Sequence, residues 1–202
     1  VLFKGEEITR EPEYVYYLLH KPAGYVSATE DRRDRTVMEL IPSYRKGLFP
    51  AGRLDKDTEG LLLITDDGAL AHELLSPSRH VEKTYFVRAE GLVTEEDKEK
   101  LEKGIDIGEK RQTLPARVKL LEKEDVSGAG TLRHVRPETL PEVYTELLLT
   151  IREGKFHQVK RMFQAVGKEV IYLKRLRMGT LVLDENLSIG EYRPLTKEEL
   201  EK

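Results

Sequence analysis

The chain has 202 residues, 39% hydrophobic and 35% charged, with a net charge of −3 and no cysteine. That length holds one large domain or two small, closely packed ones; the lack of cysteine excludes disulfides and thiolate metal sites and fits a reducing cytoplasm. No apolar run approaches the ~18 residues of a membrane span, and no secretory signal is present. His20, His72, His80, His134 and His157 never fall at a zinc-like spacing, so the expectation is no metal. The charge is segregated: Arg152 to Arg177 carries eight Lys or Arg against two acids, Glu153 and Glu169. Local basic patches, more than net charge, decide attraction to phosphates, so a nucleic-acid partner stays open.

In chain order, Val1 to Ile8 reads as a hairpin with Gly5 at its turn. Tyr14 to His20 is an aromatic and apolar strand closed by Lys21-Pro22. Ser27 to Thr36 is a polar loop in which Arg32, Arg33 and Arg35 alternate with Asp31 and Asp34. Such a run is either a solvated face or an arm that grips RNA backbone. Ala51 to Ser76 then reads as a Gly-flanked Arg53-Leu54-Asp55, a buried strand over Leu61 to Thr65, an Asp-Asp-Gly turn and a short helix over Ala69 to Leu75, stopped by Pro77. Catalytic groups favour such loop-to-strand junctions, where the strand fixes the backbone and the loop exposes the side chain.

Lys83 to Ala89 alternates like a half-buried strand, and Thr94 with Asp97 caps a surface helix to Lys103. Pro115 to Glu122 and Val143 to Ile151 are further strands, with a long loop between them over Lys123 to Glu142. From His157 to Val166 the apolar residues Val159, Met162, Phe163 and Val166 share one helical face, which puts His157, Arg161 and Gln164 opposite and Lys160 at the border. Gly167 suits the helix stop. Val170 to Arg177 is a strand presenting Lys174, Arg175 and Arg177 to a surface, Leu181 to Leu183 pairs near it, and Thr196 with Glu199 caps a last helix.

Three readings compete for Asp55. It is a turn residue among turn formers. It opens a calcium loop, since Asp55, Asp57, Glu59, Gly60 and Asp66 fall on that motif's spacing, although the helix–loop–helix context is missing. Or it is catalytic. The third reading comes from resemblance: Gly52-Arg53-Leu54-Asp55-Lys56-Asp57-Thr58-Glu59-Gly60-Leu61-Leu62 looks like the first motif of the pseudouridine synthases of the ribosomal branch. Lys83-Thr84-Tyr85 resembles their second motif, and Glu153-Gly154-Lys155-Phe156-His157-Gln158-Val159-Lys160-Arg161-Met162 their third. Lys21-Pro22-Ala23-Gly24 matches a common wording of the family, and the likeness runs from about Tyr14 to Thr196. Lys160-Arg161-Met162-Phe163 and the ending Gly190 to Thr196 resemble the subgroup that modifies small-subunit (16S) ribosomal RNA.

The resemblance implies an α+β fold, a largely antiparallel mixed sheet with flanking helices and an active-site cleft. It implies residues 13–202 as the catalytic domain and 1–12 as the remnant of an S4-like RNA-binding domain, or a linker, in an N-terminally truncated chain. The implied reaction breaks the bond from ribose C1′ to uracil N1 and remakes it to C5, with no cofactor, in a monomer acting on ribosomal RNA. Asp55 is the implied essential carboxylate, attacking covalently or taking a proton from the sugar. A carboxylate must stay ionised where substrate strips its water, which calls for a nearby cation. The motif offers Lys160, where many relatives have arginine, with Arg161 as the fallback. Tyr85 would lie against the flipped base. Arg53 would fill the vacated stack or bind a phosphate, or else form a strand-end salt bridge. Lys155, Lys174, Arg175 and Arg177 would hold phosphates, with His157, Gln158 and Arg161 also facing RNA. The rivals are a large-subunit (23S) site and a non-catalytic RNA-binding or assembly factor.

Overall fold

The computed structural model describes residues 2–3, 6–7, 13–42, 45–122 and 140–201. Two short strands, β1 (Leu2–Phe3) and β2 (Glu6–Glu7), form the expected antiparallel hairpin. The main sheet is built from β3 (Tyr16–Lys21), β4 (Phe49–Ala51), β5 (Glu59–Thr65), β6 (Lys83–Glu90), β7 (Arg117–Leu120), β8 (Tyr144–Ile151), β9 (Val170–Met178), β10 (Leu181–Val182) and β11 (Tyr192–Pro194). Its order is β11–β3–β5–β9–β6–β8–β7, with β4 beside β5 and β10 beside β9.

All pairings are antiparallel except β5 with β9. That parallel joint pairs Glu59 with Lys174 and Gly60 with Arg175, and it unites two antiparallel halves. The chain passes it with Gly60 at φ +106°, where a Cβ would stand 2.2 Å from the Arg175 carbonyl oxygen. Only glycine lets two backbones approach so closely.

Both faces of the sheet are covered, which is why β5 reads as an unbroken apolar run. Side chains alternate across a strand. Leu61 and Leu63 therefore join one core with Leu18, Ala51 and Met178, while Leu62 and Ile64 join the other with Leu19, Val87, Met162 and Phe163. The helices are α1 (Gly68–Leu75), α2 (Glu95–Lys103), α3 (Gln158–Ala165) and α4 (Lys197–Leu200). Asp67 caps α1 by accepting from the Leu70 amide at 2.9 Å, and Thr94–Asp97 and Thr196–Glu199 close the capping boxes of α2 and α4. Helix α3 buries Val159, Met162 and Phe163, and Gly167 follows it at φ +72°.

One expected strand is shorter, and one expected loop falls largely outside the described residues. The strand expected over Pro115 to Glu122 is confined to Arg117–Leu120, because the Leu114 amide is already taken by the Glu153 carboxylate and Thr113 bonds Ile105. The loop expected over Lys123 to Glu142 lies mostly outside the described residues. Strands β4 and β11 are three residues each, too short to show an alternation in sequence.

Candidate active site

Asp55 sits in the link between β4 and β5, and that link is held from three sides. Leu54 is buried, and the Ser27 hydroxyl donates to its carbonyl while accepting from its amide, both at 3.0 Å. The Thr58 amide closes a turn onto the Asp55 carbonyl at 3.0 Å, and the Gly24 amide donates to Lys56 at 2.7 Å. From below comes Lys21 at the end of β3, fully buried. Its ammonium donates to the carbonyls of Pro22, Asp55, Lys56 and Thr58 at 2.8–3.3 Å. Burial pushes the Lys21 ammonium down to about 8, although the carboxylates of Glu59, Asp57 and Asp55 pull the other way. It is thus charged at neutral pH and fastens the loop by its backbone, leaving the Asp55 side chain to point elsewhere.

This yields a pH signature. Above about 8 Lys21 becomes an amine with one donor fewer, so the loop slackens and turnover is expected to fall. Stability moves oppositely: between about 8 and the unfolded value of 10.5 the unfolded chain holds the extra proton, so this group's contribution rises with pH. A falling rate without a falling melting temperature across that window, with the falling limb gone in Lys21→Met, is the expected result.

The Asp55 carboxylate is half-buried, with its side chain 25% exposed, in a cleft of about 810 Å³. Lys160 Nζ from α3 stands 3.4 Å from one oxygen and His157 Nε2 stands 3.5 Å from the other. Lys160 is shared: it donates to both oxygens of Asp57 at 2.6 and 2.8 Å. Burial alone would lower the Lys160 ammonium, but Asp57 and then Asp55 more than reverse this and raise it. Asp57 responds in kind, its burial outweighed by Lys160, so its carboxyl is lowered. The carboxylates of the calcium-loop reading do not converge. Asp57 is taken by Lys160, Glu59 accepts from the Tyr172 hydroxyl, and Asp66 accepts from Val15 and Arg45.

Tyr85, on β6, lines the same cleft and is 8% exposed. Arg53 also lines it, exposed at the surface, and forms no ion pair among the described residues, so the strand-end salt bridge is not made.

Several sequence expectations need correction. Lys174 and Arg175 are not on the outer surface; they are 0% and 2% exposed. Both faces of β9 are packed, so alternation sends Lys174 towards Glu59 and Tyr172, and Arg175 towards the cleft floor, where its Nε donates to the Leu61 carbonyl at 2.8 Å. Gln158 is buried and clamps its own loop, accepting from the Lys155 amide at 2.9 Å and donating to Glu153 at 2.8 Å. Arg161 cannot stand in for Lys160, because it is committed to Glu109 and to the carbonyls of Phe156 and Ile107. Lys155 lines the cleft, but its ammonium is tied to the carbonyls of Arg111 and Gln112. Arg177 is exposed as expected.

Two features escaped the sequence reading. The role of Lys21 was hidden because its partners are carbonyls, which every residue has; Lys21-Pro22-Ala23-Gly24 was the only signal. Phe156, 68% exposed, lines the cleft and stacks on His157 with ring centroids 3.8 Å apart. An exposed aromatic directly before a histidine held at φ +47° offers a flat apolar face at the mouth.

A nine-stranded mixed sheet split by one parallel joint carries Asp55 and Tyr85 in the cleft across it, with Lys160 3.4 Å from the carboxylate, which brings together residues of all three motifs that resemble the pseudouridine synthases. The chain belongs to the RNA pseudouridylate synthase family, whose model matches residues 15–165. It is 49% identical over 190 residues to the Bacillus subtilis (strain 168) protein named "Uncharacterized RNA pseudouridine synthase YtzG", covering 93% of this chain and 72% of that one. It is 41% identical over 202 residues to the Escherichia coli (strain K12) "Ribosomal small subunit pseudouridine synthase A", covering 99% and 78%. A solved pseudouridylate synthase superposes with a TM-score of 0.79 at 40% identity, over 94% of this chain and 74% of that one. The protein is an RNA pseudouridine synthase, and the fold expectation and the enzyme reading both hold.

Proposed function

We propose that the protein converts one uridine of 16S ribosomal RNA to pseudouridine, with Asp55 as the reacting carboxylate. The observation that carries this is Asp55 itself: its backbone is fixed by Lys21, its oxygens face Lys160 and His157, and it shares a cleft with Tyr85. The relatives named for the small ribosomal subunit, alike over 99% of this chain, support the choice of RNA.

The chemistry is the one that the family resemblance implies, and the geometry supports it. A uridine leaves its stack, at a few kcal/mol, and its base enters the cleft against Tyr85. Arg53, exposed and unpaired at the mouth, fills the vacated space or holds the adjacent phosphate. Asp55 attacks the nucleotide or takes a sugar proton as the C1′–N1 bond breaks; the base turns, C5 bonds to C1′ as the bond to Asp55 breaks or the sugar proton is given back, and the C5 hydrogen leaves as a proton. Lys160 keeps the carboxylate ionised while the substrate excludes water.

Release of tritium from 5-tritiated uridine tests the reading. Release from 16S transcripts or small-subunit particles, and not from 23S transcripts, is expected; the converse would move the target to the large subunit. Lys160→Ala is expected to cut turnover about 10- to 100-fold, the worth of a charge-assisted contact of ~1.5–3 kcal/mol. An unchanged rate would remove Lys160 from the reaction.

A further inference from the structure

The cleft floor contains a cation that the reaction as described does not use. Arg175 is 2% exposed and lines the cleft, its Nε is spent on the Leu61 carbonyl, and its Nη2 is buried without a hydrogen-bond partner. Lys83 lines the same cleft, bonded among the described residues only to the Val81 carbonyl at 3.0 Å. The two cations are close enough to act on each other, and neither has a carboxylate within ion-pair distance among the described residues. A buried guanidinium donor left unpaired is costly in free energy. Two neighbouring cations without an acid make the floor positive. Both observations point to an occupant that brings an acceptor atom and negative charge.

Depth decides which part of the substrate that is. Arg175 is the cross-strand partner of Tyr85 at the β9–β6 ladder, on the floor beside the ring expected to meet the base. A flipped nucleotide enters base first, so phosphates stay at the mouth with Arg53 and the base edge alone reaches the floor.

We infer that Arg175, backed by Lys83, donates from Nη2 to a carbonyl oxygen of the flipped uracil and receives the charge that appears there when the glycosidic bond breaks. This rests on the proposed placement of the base in the Asp55 cleft. When C1′–N1 breaks, the bonding pair stays on the ring and spreads over N1, O2 and O4. The donor at the floor stabilises that anion until C5 uses a pair to bond C1′ and the C5 proton departs. No oxidant, reductant or second substrate is needed. The oxygen is O4, where the same contact also selects uracil, since cytosine presents an amino donor there, opposite a guanidinium that can only donate.

The test compares wild type with Arg175→Lys and, because Arg175 is buried, with Lys83→Gln as a second, partly exposed variant. Each acts on RNA carrying uridine or 4-thiouridine at the target, with turnover, RNA affinity and its salt dependence measured. Arg175→Lys is expected to lose about 10²-fold in turnover on uridine, the usual cost of a lost oxyanion donor. Much of that deficit should disappear on 4-thiouridine, whose sulfur is a poor acceptor. Affinity and salt slope should stay at wild-type values, and Lys83→Gln should show the same pattern at smaller size. An equal loss on both RNAs, or no loss, overturns the inference, as does a salt slope reduced by about one, which marks a phosphate contact. If Arg175→Lys does not fold, the Lys83→Gln pattern decides alone. A wild type that releases no tritium from any RNA would instead sink the placement of the reaction in this cleft.

Discussion

Asp55→Asn is expected to lower turnover by at least about 10⁴-fold, on the scale of losing a group that the chemistry cannot replace, while folding and RNA binding stay near wild type. Asparagine has the same shape, and the forces that hold this loop act on its backbone. Lys21 grips carbonyls, Ser27 grips Leu54, and Thr58 closes the turn. None of these contacts sees whether position 55 carries an oxygen or an amide nitrogen. What asparagine lacks is the negative charge and the nucleophilic oxygen. Lys160 would keep its nearer partner, Asp57. Tritium release and filter binding on the same preparation separate the two effects, and turnover within tenfold of wild type would remove Asp55 from the reaction.

The largest stability loss is expected at Gly60→Ala. An added Cβ would meet the Arg175 carbonyl oxygen at 2.2 Å and its amide nitrogen at 2.7 Å, both backbone atoms, at φ +106°. Neither strand can yield without opening the joint, which is only two residue pairs long and holds the two half-sheets together. Strain and overpacking of about 1–3 kcal/mol each sum to roughly 2–6 kcal/mol. For a chain of this size that is a fall in melting temperature of roughly 5–20 °C. Gly167→Ala is the control. Its φ is also positive, at +72°, but no atom lies within 4 Å of the new Cβ, so only the backbone cost of about 1 kcal/mol applies. Equal losses at the two glycines would show that the steric contact is not what makes Gly60 necessary. Gly60→Ala should also impair turnover in whatever fraction stays folded, because the joint positions Arg175 at the floor and starts the strand that follows Asp55.

Sequence alone was informative wherever a short-range rule governs. The apolar run Leu61 to Ile64 marked a strand buried on both faces; Thr94–Asp97 and Thr196–Glu199 marked helix starts; and Val159, Met162 and Phe163 marked the inward face of the helix carrying Lys160. The three motifs named the family and brought Asp55, Tyr85 and Lys160 forward, and the structure puts all three in one cleft or at its edge. The short strands β4 and β11 escaped because three residues contain no period.

Side-chain destinations were decided only by tertiary structure. Lys174 and Arg175 look like surface cations on a charged strand, and they became interior groups because β9 lies in the middle of the sheet with both faces covered. Nothing local to residues 170–178 announces that position, which depends on pairing with strands some ninety and more than a hundred residues earlier. Lys21 and Arg161 were overlooked or misjudged for the same reason, since their partners include carbonyls and a carboxylate on distant loops, whereas Gln158 turned inward to brace its own loop. The amino-acid order thus determined the family, the main elements and the side chains proposed to react, through periodicity and motif. Which cations face the substrate and which brace the scaffold was left to the packing, because a charged side chain follows the nearest acceptor that the fold supplies, and that acceptor is distant in the chain.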